Sequence, residues 1–131
     1  MRLGHIALSV SDIKRSAAFF RKYFSFRSAE KYVYKDAGLT IALLEKDDIT
    51  LEFFEFKNHR SLPQYRKILD NDLHTIGVKH FSFDTKNIKG LYNRFKKTGV
   101  KFATEMRVTD GGKRYFFVKD PDGNLVELME L

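Results

Sequence analysis

An α+β chain built from two copies of one β-α-β-β-β unit is the fold that the sequence predicts. Three observations carry the prediction. In each half the apolar spacing runs from period two to about 3.6 and back to two. An offset of 75 residues lays one half on the other. Between the halves, residues 57–75 share the pattern of neither. The whole is read as one domain, 1–131, with module 1 at 1–56, a linker at 57–75 and module 2 at 76–131.

In module 1, residues 3–10 alternate. His5, Ala7 and Ser9 fall on a small, polar face, with Ile6, Leu8 and Val10 on an apolar back. Ser11 and Asp12 are good N-cap residues. Ile13, Ala17, Phe20 and Phe24 then recur at helical spacing, with Lys14, Arg15, Arg21 and Lys22 outside. Strands follow near 26–34, 38–45 and 49–56, with turns at Ala37-Gly38 and Lys46-Asp47-Asp48. The third strand sets Glu52 on the face opposite Leu51 and Phe53. In the linker, Asn58 to Ser61 read as loop and Pro63 opens a short helix through Leu69, closed by Asn71-Asp72. This stretch is a candidate lid over a site.

Module 2 repeats the order. Residues 76–84 alternate, with His80, Ser82 and Asp84 on one face and Phe81 and Phe83 on the other. Asn87 is placed to cap a helix carrying Ile88, Leu91, Tyr92 and Phe95 and ending at Gly99. Short strands are expected at 100–103 and 115–119, around a turn at Asp110-Gly111-Gly112. Then comes Asp120-Pro121-Asp122-Gly123. Proline pre-sets φ and glycine accepts positive φ, so the segment reads as a tight turn feeding a closing strand that carries Glu127.

Composition narrows the function. Hydrophobic residues are 43%, with 13 Phe and 6 Tyr, enough for a proper core. No apolar run approaches the ~18 residues of a membrane span, and the start lacks the apolar segment of a signal peptide, so the expectation is a cytoplasmic protein with no membrane partner. The net charge is +7, but the 24 Lys and Arg are scattered. Nucleic-acid binding would want a basic stripe with interleaved aromatics, and only Lys31-Tyr32-Val33-Tyr34-Lys35 approaches one, so no nucleic-acid partner is expected. The surface suits anionic small molecules instead. With no cysteine, any metal site must use His and carboxylates.

The repeat supplies them. The 75-residue offset carries His5 onto His80, Ile13 onto Ile88, Phe20 onto Phe95, Glu52 onto Glu127 and Glu55 onto Glu130, so His and Glu stand 47 residues apart in each half. Each module presents a histidine on its first strand and a glutamate on its last. His and Glu are poor choices for a packed sheet unless satisfied. Two such modules related by an approximate two-fold would gather two imidazoles and two carboxylates. That set suits one divalent ion of Ni, Zn, Co, Mn or Fe. His59 and His74 have no repeat partner and read as loop histidines.

At Gly4-His5-Ile6-Ala7-Leu8-Ser9-Val10, Leu51-Glu52, Val78-Lys79-His80-Phe81-Ser82-Phe83 and Phe117-Val118-Lys119-Asp120-Pro121-Asp122-Gly123-Asn124-Leu125-Val126-Glu127-Leu128, the chain resembles the vicinal oxygen chelate superfamily. Within it, the His, Glu, His, Glu order is similar to the glyoxalase I-like (lactoylglutathione lyase-like) branch. The resemblance implies a glyoxalase/bleomycin resistance/dioxygenase fold, a curved eight-stranded mixed-sheet cleft, and a homodimer. It implies a metal-dependent lyase or isomerase in which His5, Glu52, His80 and Glu127 hold the ion. One glutamate would take a proton beside a carbonyl and return it to the neighbouring carbon while the metal stabilises the enediolate. Pseudo-symmetry leaves both Glu127 and Glu52 as candidate base.

Two positions depart from the pattern. Many glyoxalases I carry Arg where this chain has Ser9, and Asn where it has Phe56. With Phe54, Phe56 and Met129 beside the ligands, the substrate face would be more apolar than a tripeptide thiol requires. Lys113 and Arg114 fall where the family's substrate loop is basic, which keeps an anionic substrate in view. Two other readings stand beside the lyase. An Fe(II)-dependent ring-cleaving dioxygenase suits the aromatic cleft, although such members typically use two His and one Glu. A small-molecule-binding module of the resistance type suits the Phe-rich faces. Methylmalonyl-CoA epimerases typically have Gln where this chain has Glu52.

Overall fold

A computed structural model describes residues 1–131, and the chain divides into two compact units, Met1–Ser61 and Leu62–Leu131. In the first, β1 (Ile6–Ser9), α1 (Ile13–Phe24), β2 (Arg27–Tyr34), β3 (Leu39–Lys46) and β4 (Ile49–Phe56) follow in order. In the second, a 3-10 turn (Gln64–Lys67) and α2 (Leu69–Asp72) precede β5 (Phe81–Thr85), α3 (Ile88–Thr98), β6 (Arg107–Val108), β7 (Arg114–Lys119) and β8 (Leu125–Glu130). Each unit holds one four-stranded mixed sheet, in the orders β1-β4-β3-β2 and β5-β8-β7-β6. In both, the first strand runs parallel to the last and the remaining pairs are antiparallel. The α+β class and the repeated βαβββ order are those read from the sequence.

The parallel pairing follows from the helix crossover, since a strand returning through a helix re-enters the sheet in the same direction. Asp12 caps α1 by accepting from Arg15 N at 3.0 Å, and Asn87 caps α3 by accepting from Gly90 N at 3.0 Å. Both helices end in a left-handed residue, Ser25 at φ 62° and Gly99 at φ 77°. The side of α1 carrying Ile13, Ala17, Phe20 and Phe24 is buried. Phe20 meets Phe53 of β4 at 5.6 Å between ring centroids. In the second unit Tyr92 and Phe95 of α3 meet Phe116 of β7 at 5.1 and 6.2 Å.

Equivalent glutamates have taken different work. Glu55 accepts from the backbone N of Ile13 at 2.6 Å, placing a carboxylate at the positive end of α1. Its repeat partner Glu130 receives the Arg114 guanidinium through Nε (2.8 Å) and Nη2, and also the Arg114 backbone N at 3.1 Å. Those Arg114 hydrogen bonds pull the Glu130 pKa down to about 2. A depressed folded-state pKa stabilises the native state above the ordinary carboxylate value, and that contribution is lost as pH falls through it toward about 2. Wild type is therefore expected to melt above Glu130→Gln at pH 7. The gap should narrow below about pH 4.5 and vanish near pH 2. A gap unchanged between pH 7 and pH 3 contradicts this.

Three segments differ from expectation. Residues 100–103 form no strand; only Phe102 bridges to Val118. Alternation at 76–80 yields no ladder either, and β5 begins at Phe81 because pairing with β8 starts at Phe81–Val126. Residues 62–75 group with the second unit instead of standing apart as linker. Leu69 packs with Phe117 and Leu125, and buried Asp72 binds Lys79 Nζ at 3.2 Å and Arg66 Nε at 3.3 Å. The candidate lid is thus anchored by an apolar contact and two cations.

Candidate functional site

Sheet register decides which side chains share a surface. In the first unit Glu52 pairs with Ala7 of β1 and Leu43 of β3, and His5 lies two residues before Ala7 on the same side. The His5 Nε2 and Glu52 Oε2 atoms are 3.3 Å apart. In the second unit Glu127 pairs with Ser82 of β5 and Phe117 of β7, and His80 lies two residues before Ser82. The His80 Nε2 and Glu127 Oε2 atoms are 3.4 Å apart. The repeat in sequence is therefore a repeat in geometry. Each unit sets one imidazole nitrogen within 3.4 Å of one carboxylate oxygen.

The two pairs are built to different depths. Side-chain exposure is 56% and 21% for His5 and Glu52, against 29% and 10% for His80 and Glu127. The His80 ring stands edge-to-face on Phe117 at 4.9 Å between centroids, which fixes its plane. His80 Nδ1 is buried and meets no hydrogen-bond partner.

The turn before β8 sets the position of Glu127. Asp120 Oδ1 accepts from the backbone N of Asp122 (3.0 Å) and of Asn124 (2.8 Å), while Oδ2 accepts from Asn124 Nδ2 (2.8 Å). Burial pushes the Asp120 carboxyl above its ordinary pKa, and the Asn124 hydrogen bonds oppose that rise. Gly123 has φ 96°, a backbone conformation that favours glycine; a Cβ there would also meet the Lys67 side chain at 2.8 Å, which its flexible aliphatic stem relieves by swinging aside.

The expected substrate-face residues separate. Phe54 and Phe56 share the Glu52 face, with Phe54 opposite Ser9 and Ile41. Met129 shares the Glu127 face, opposite Asp84 and Tyr115. Lys113 lies exposed in the 109–113 turn. Arg114 is a correction: it sits on the other side of the sheet from Glu127, and its guanidinium is committed to Glu130. His59 and His74 are exposed, and His59 Nδ1 lies 3.2 Å from Phe56 O. Residues overlooked in the sequence share these faces: Tyr32, Ile41 and Leu43 in the first unit, Tyr115 and Phe117 in the second.

No group of three or more His, Asp or Glu side chains is placed to hold one ion; the four candidates form two pairs. Each pair nevertheless fits half of a divalent site. Ligands sharing an ion at bonds of about 2.0–2.2 Å stand about 3 Å apart, and nitrogen with carboxylate oxygen is an ordinary donor set for such ions. The missing Nδ1 partner of His80 departs from the usual outer hydrogen bond of a ligand histidine; Phe117 holds the ring instead.

A family model described as the Glyoxalase/Bleomycin resistance protein/Dioxygenase superfamily matches residues 2–128. The chain belongs to this superfamily. Among its relatives, the uncharacterized protein YwbC of Bacillus subtilis is 25% identical over 132 residues, covering 98% of this chain and 97% of that protein. Human mitochondrial methylmalonyl-CoA epimerase is 25% identical, over 97% of this chain and 72% of its own. Lactoylglutathione lyase GLX1 of Arabidopsis thaliana is 27% identical, over 98% of this chain and 44% of its own. The fold of this glyoxalase-superfamily chain matches a glyoxalase family protein from Enterococcus faecalis at TM-score 0.84 and 22% identity, over 98% and 97% of the two chains.

Proposed function

We propose that the protein is a metal-dependent lyase or isomerase of the glyoxalase I type, acting on a thiol adduct of a 2-oxoaldehyde. One observation carries the reading: the approach of a histidine Nε2 to a glutamate Oε2, made once in each unit at 3.3 and 3.4 Å. His5 with Glu52 and His80 with Glu127 would hold the ion. Two half-sites must meet to complete the set, within one chain or between the copies of a homodimer. A divalent ion bound there supplies Lewis acidity for the developing enediolate.

The chain's own residues supply the rest. Glu52 or Glu127 accepts the proton from the carbon beside the carbonyl and returns it to the neighbouring carbon, so substrate and product are isomers. Phe54, Phe56 and Met129 offer apolar surface beside the carboxylates and favour a thiol partner with apolar bulk. Lys113, in its exposed turn, is available to an anionic group on that partner.

Epimerisation beside a thioester carbonyl is the second reading, favoured by the match to the human epimerase. It uses the same proton abstraction. Glu52 favours the lyase, because the epimerases resembled here typically carry Gln at that place.

The test is to identify the ion in protein purified without added metal, and then to assay hemithioacetal isomerisation and thioester epimerisation after adding Ni²⁺ or Zn²⁺. Hemithioacetal turnover dependent on metal is the expected result. Metal binding with epimerisation alone would select the second reading, and no metal binding would overturn both.

A further inference from the structure

The internal repeat provides a control for the opposite face of the first sheet. Three side chains in the second unit, Tyr92, Phe102 and Phe116, pack against one another between α3 and β7, Phe102 stacked on Phe116 and Tyr92 edge-on to both. Register identifies their counterparts. Phe116 pairs with Leu128, and Ala42 pairs with Phe53, the repeat partner of Leu128. Phe102 bridges Val118, which pairs with Val126; Ser28 pairs with Leu44, which pairs with Leu51, the repeat partner of Val126. Tyr92 falls on Ala17 by the same 75-residue offset. Three aromatic side chains in one unit are therefore Ala17, Ser28 and Ala42 in the other.

Those three residues line a pocket of about 400 Å³ between α1, β2 and β3. Its other walls include Lys14, Arg21 and Lys31. The one carboxylate there, Glu30, accepts a hydrogen bond from Tyr32. Arg21 holds the helical position of Lys96, whose Nζ lies 4.4 Å from the Phe102 ring centroid. Arg21 Nη1 instead donates to Ser28 Oγ at 3.4 Å, across the place where that ring would be. The aromatic packing of the first unit gathers at Phe20, Phe24, Phe26 and Phe53, and leaves this space open.

We propose that this pocket is a binding site for a small planar aromatic acid. The ring takes the volume that Tyr92, Phe102 and Phe116 fill in the other unit, with a cation above its face. The carboxylate is met by Lys14, Arg21 and Lys31, the last on the opposite wall from the first two. Ala42 shares the face of Phe53 and not that of Glu52, so the site is separate from the histidine–glutamate pair and independent of the function proposed for it.

Benzoate is the probe, followed by ¹H–¹⁵N shift changes of the full chain. Saturable shifts at the Ala17, Ser28 and Ala42 amides are expected, weakened about tenfold in Arg21→Gln. They should be abolished in Ala42→Phe, which restores the residue of the second unit. Ala17→Leu serves the same purpose should Ala42→Phe not fold. Cyclohexanecarboxylate keeps the charge without the planar ring, and phenol keeps the ring without the charge; both should bind several-fold more weakly. No saturable shift, or shifts that persist in the filled variants, would overturn the site. Equal binding of cyclohexanecarboxylate would overturn the aromatic assignment, and equal binding of phenol the anionic one.

Discussion

Glu127→Ala is expected to lower the affinity for Zn²⁺ or Ni²⁺ by at least ~100-fold, beyond the ~10–100-fold typical of losing a group that merely supports a ligand. The second half-site is the more deeply set of the two. Glu127 and His80 face each other at 3.4 Å, with 10% and 29% of their side chains exposed, and Phe117 fixes the imidazole plane. A donor held in place before binding loses little freedom when the ion arrives. The first pair is more exposed, at 21% for Glu52 and 56% for His5, and no comparable ring contact holds it. Glu52→Ala should therefore cost less than Glu127→Ala. Calorimetric titration and elemental analysis of the purified variants measure both. Glu127→Gln, which keeps the shape, separates lost ligation from lost folding. Wild-type affinity in Glu127→Ala would remove Glu127 from the metal set, and a larger loss in Glu52→Ala would reverse the order of the half-sites.

What made the two pairs legible was repetition. A single glutamate on a strand says little, but His5 with Glu52 and His80 with Glu127 at one spacing identify a first and a last strand, and parallel pairing brings those together. The helices were equally plain, since Asp12 and Asn87 announce their starts and the Phe20 and Phe95 rows mark their buried sides. The substrate face was harder to read. In β3, Leu39, Ile41 and Leu43 alternate with Thr40, Ala42 and Leu44, so both sides are largely apolar and period two cannot tell them apart. Arg114 was misplaced for a related reason. Its position in a basic loop suggested substrate, whereas one residue of register sends it to the side of Glu130. The empty place left by Ala17, Ser28 and Ala42 has no signature in a single half. It emerges only when register aligns the two.

Phe20→Ala is expected to destabilise the protein by about 3–5 kcal/mol, the range for deleting a buried phenylalanine. Phe20 has 0% exposure, and its ring lies within 5.2–6.0 Å of those of Phe19, Phe24, Phe26 and Phe53. Phe53 belongs to β4, so the contact fastens α1 to its sheet. Phe24 and Phe26 straddle Ser25, where the chain turns at φ 62° out of the helix toward β2. Removing the ring therefore opens a cavity at the point where helix, turn and sheet are joined, and aromatic neighbours with few rotamers close it poorly. Against a total stability of about 5–15 kcal/mol, the loss is large enough to leave part of the variant unfolded at 37 °C. Phe20→Leu keeps much of the apolar volume and should cost about half as much. Urea denaturation followed by circular dichroism measures both. A cost below about 1 kcal/mol for Phe20→Ala would mean that α1 does not rest on β4 through this ring, and the helix–sheet packing of the first unit would have to be redrawn.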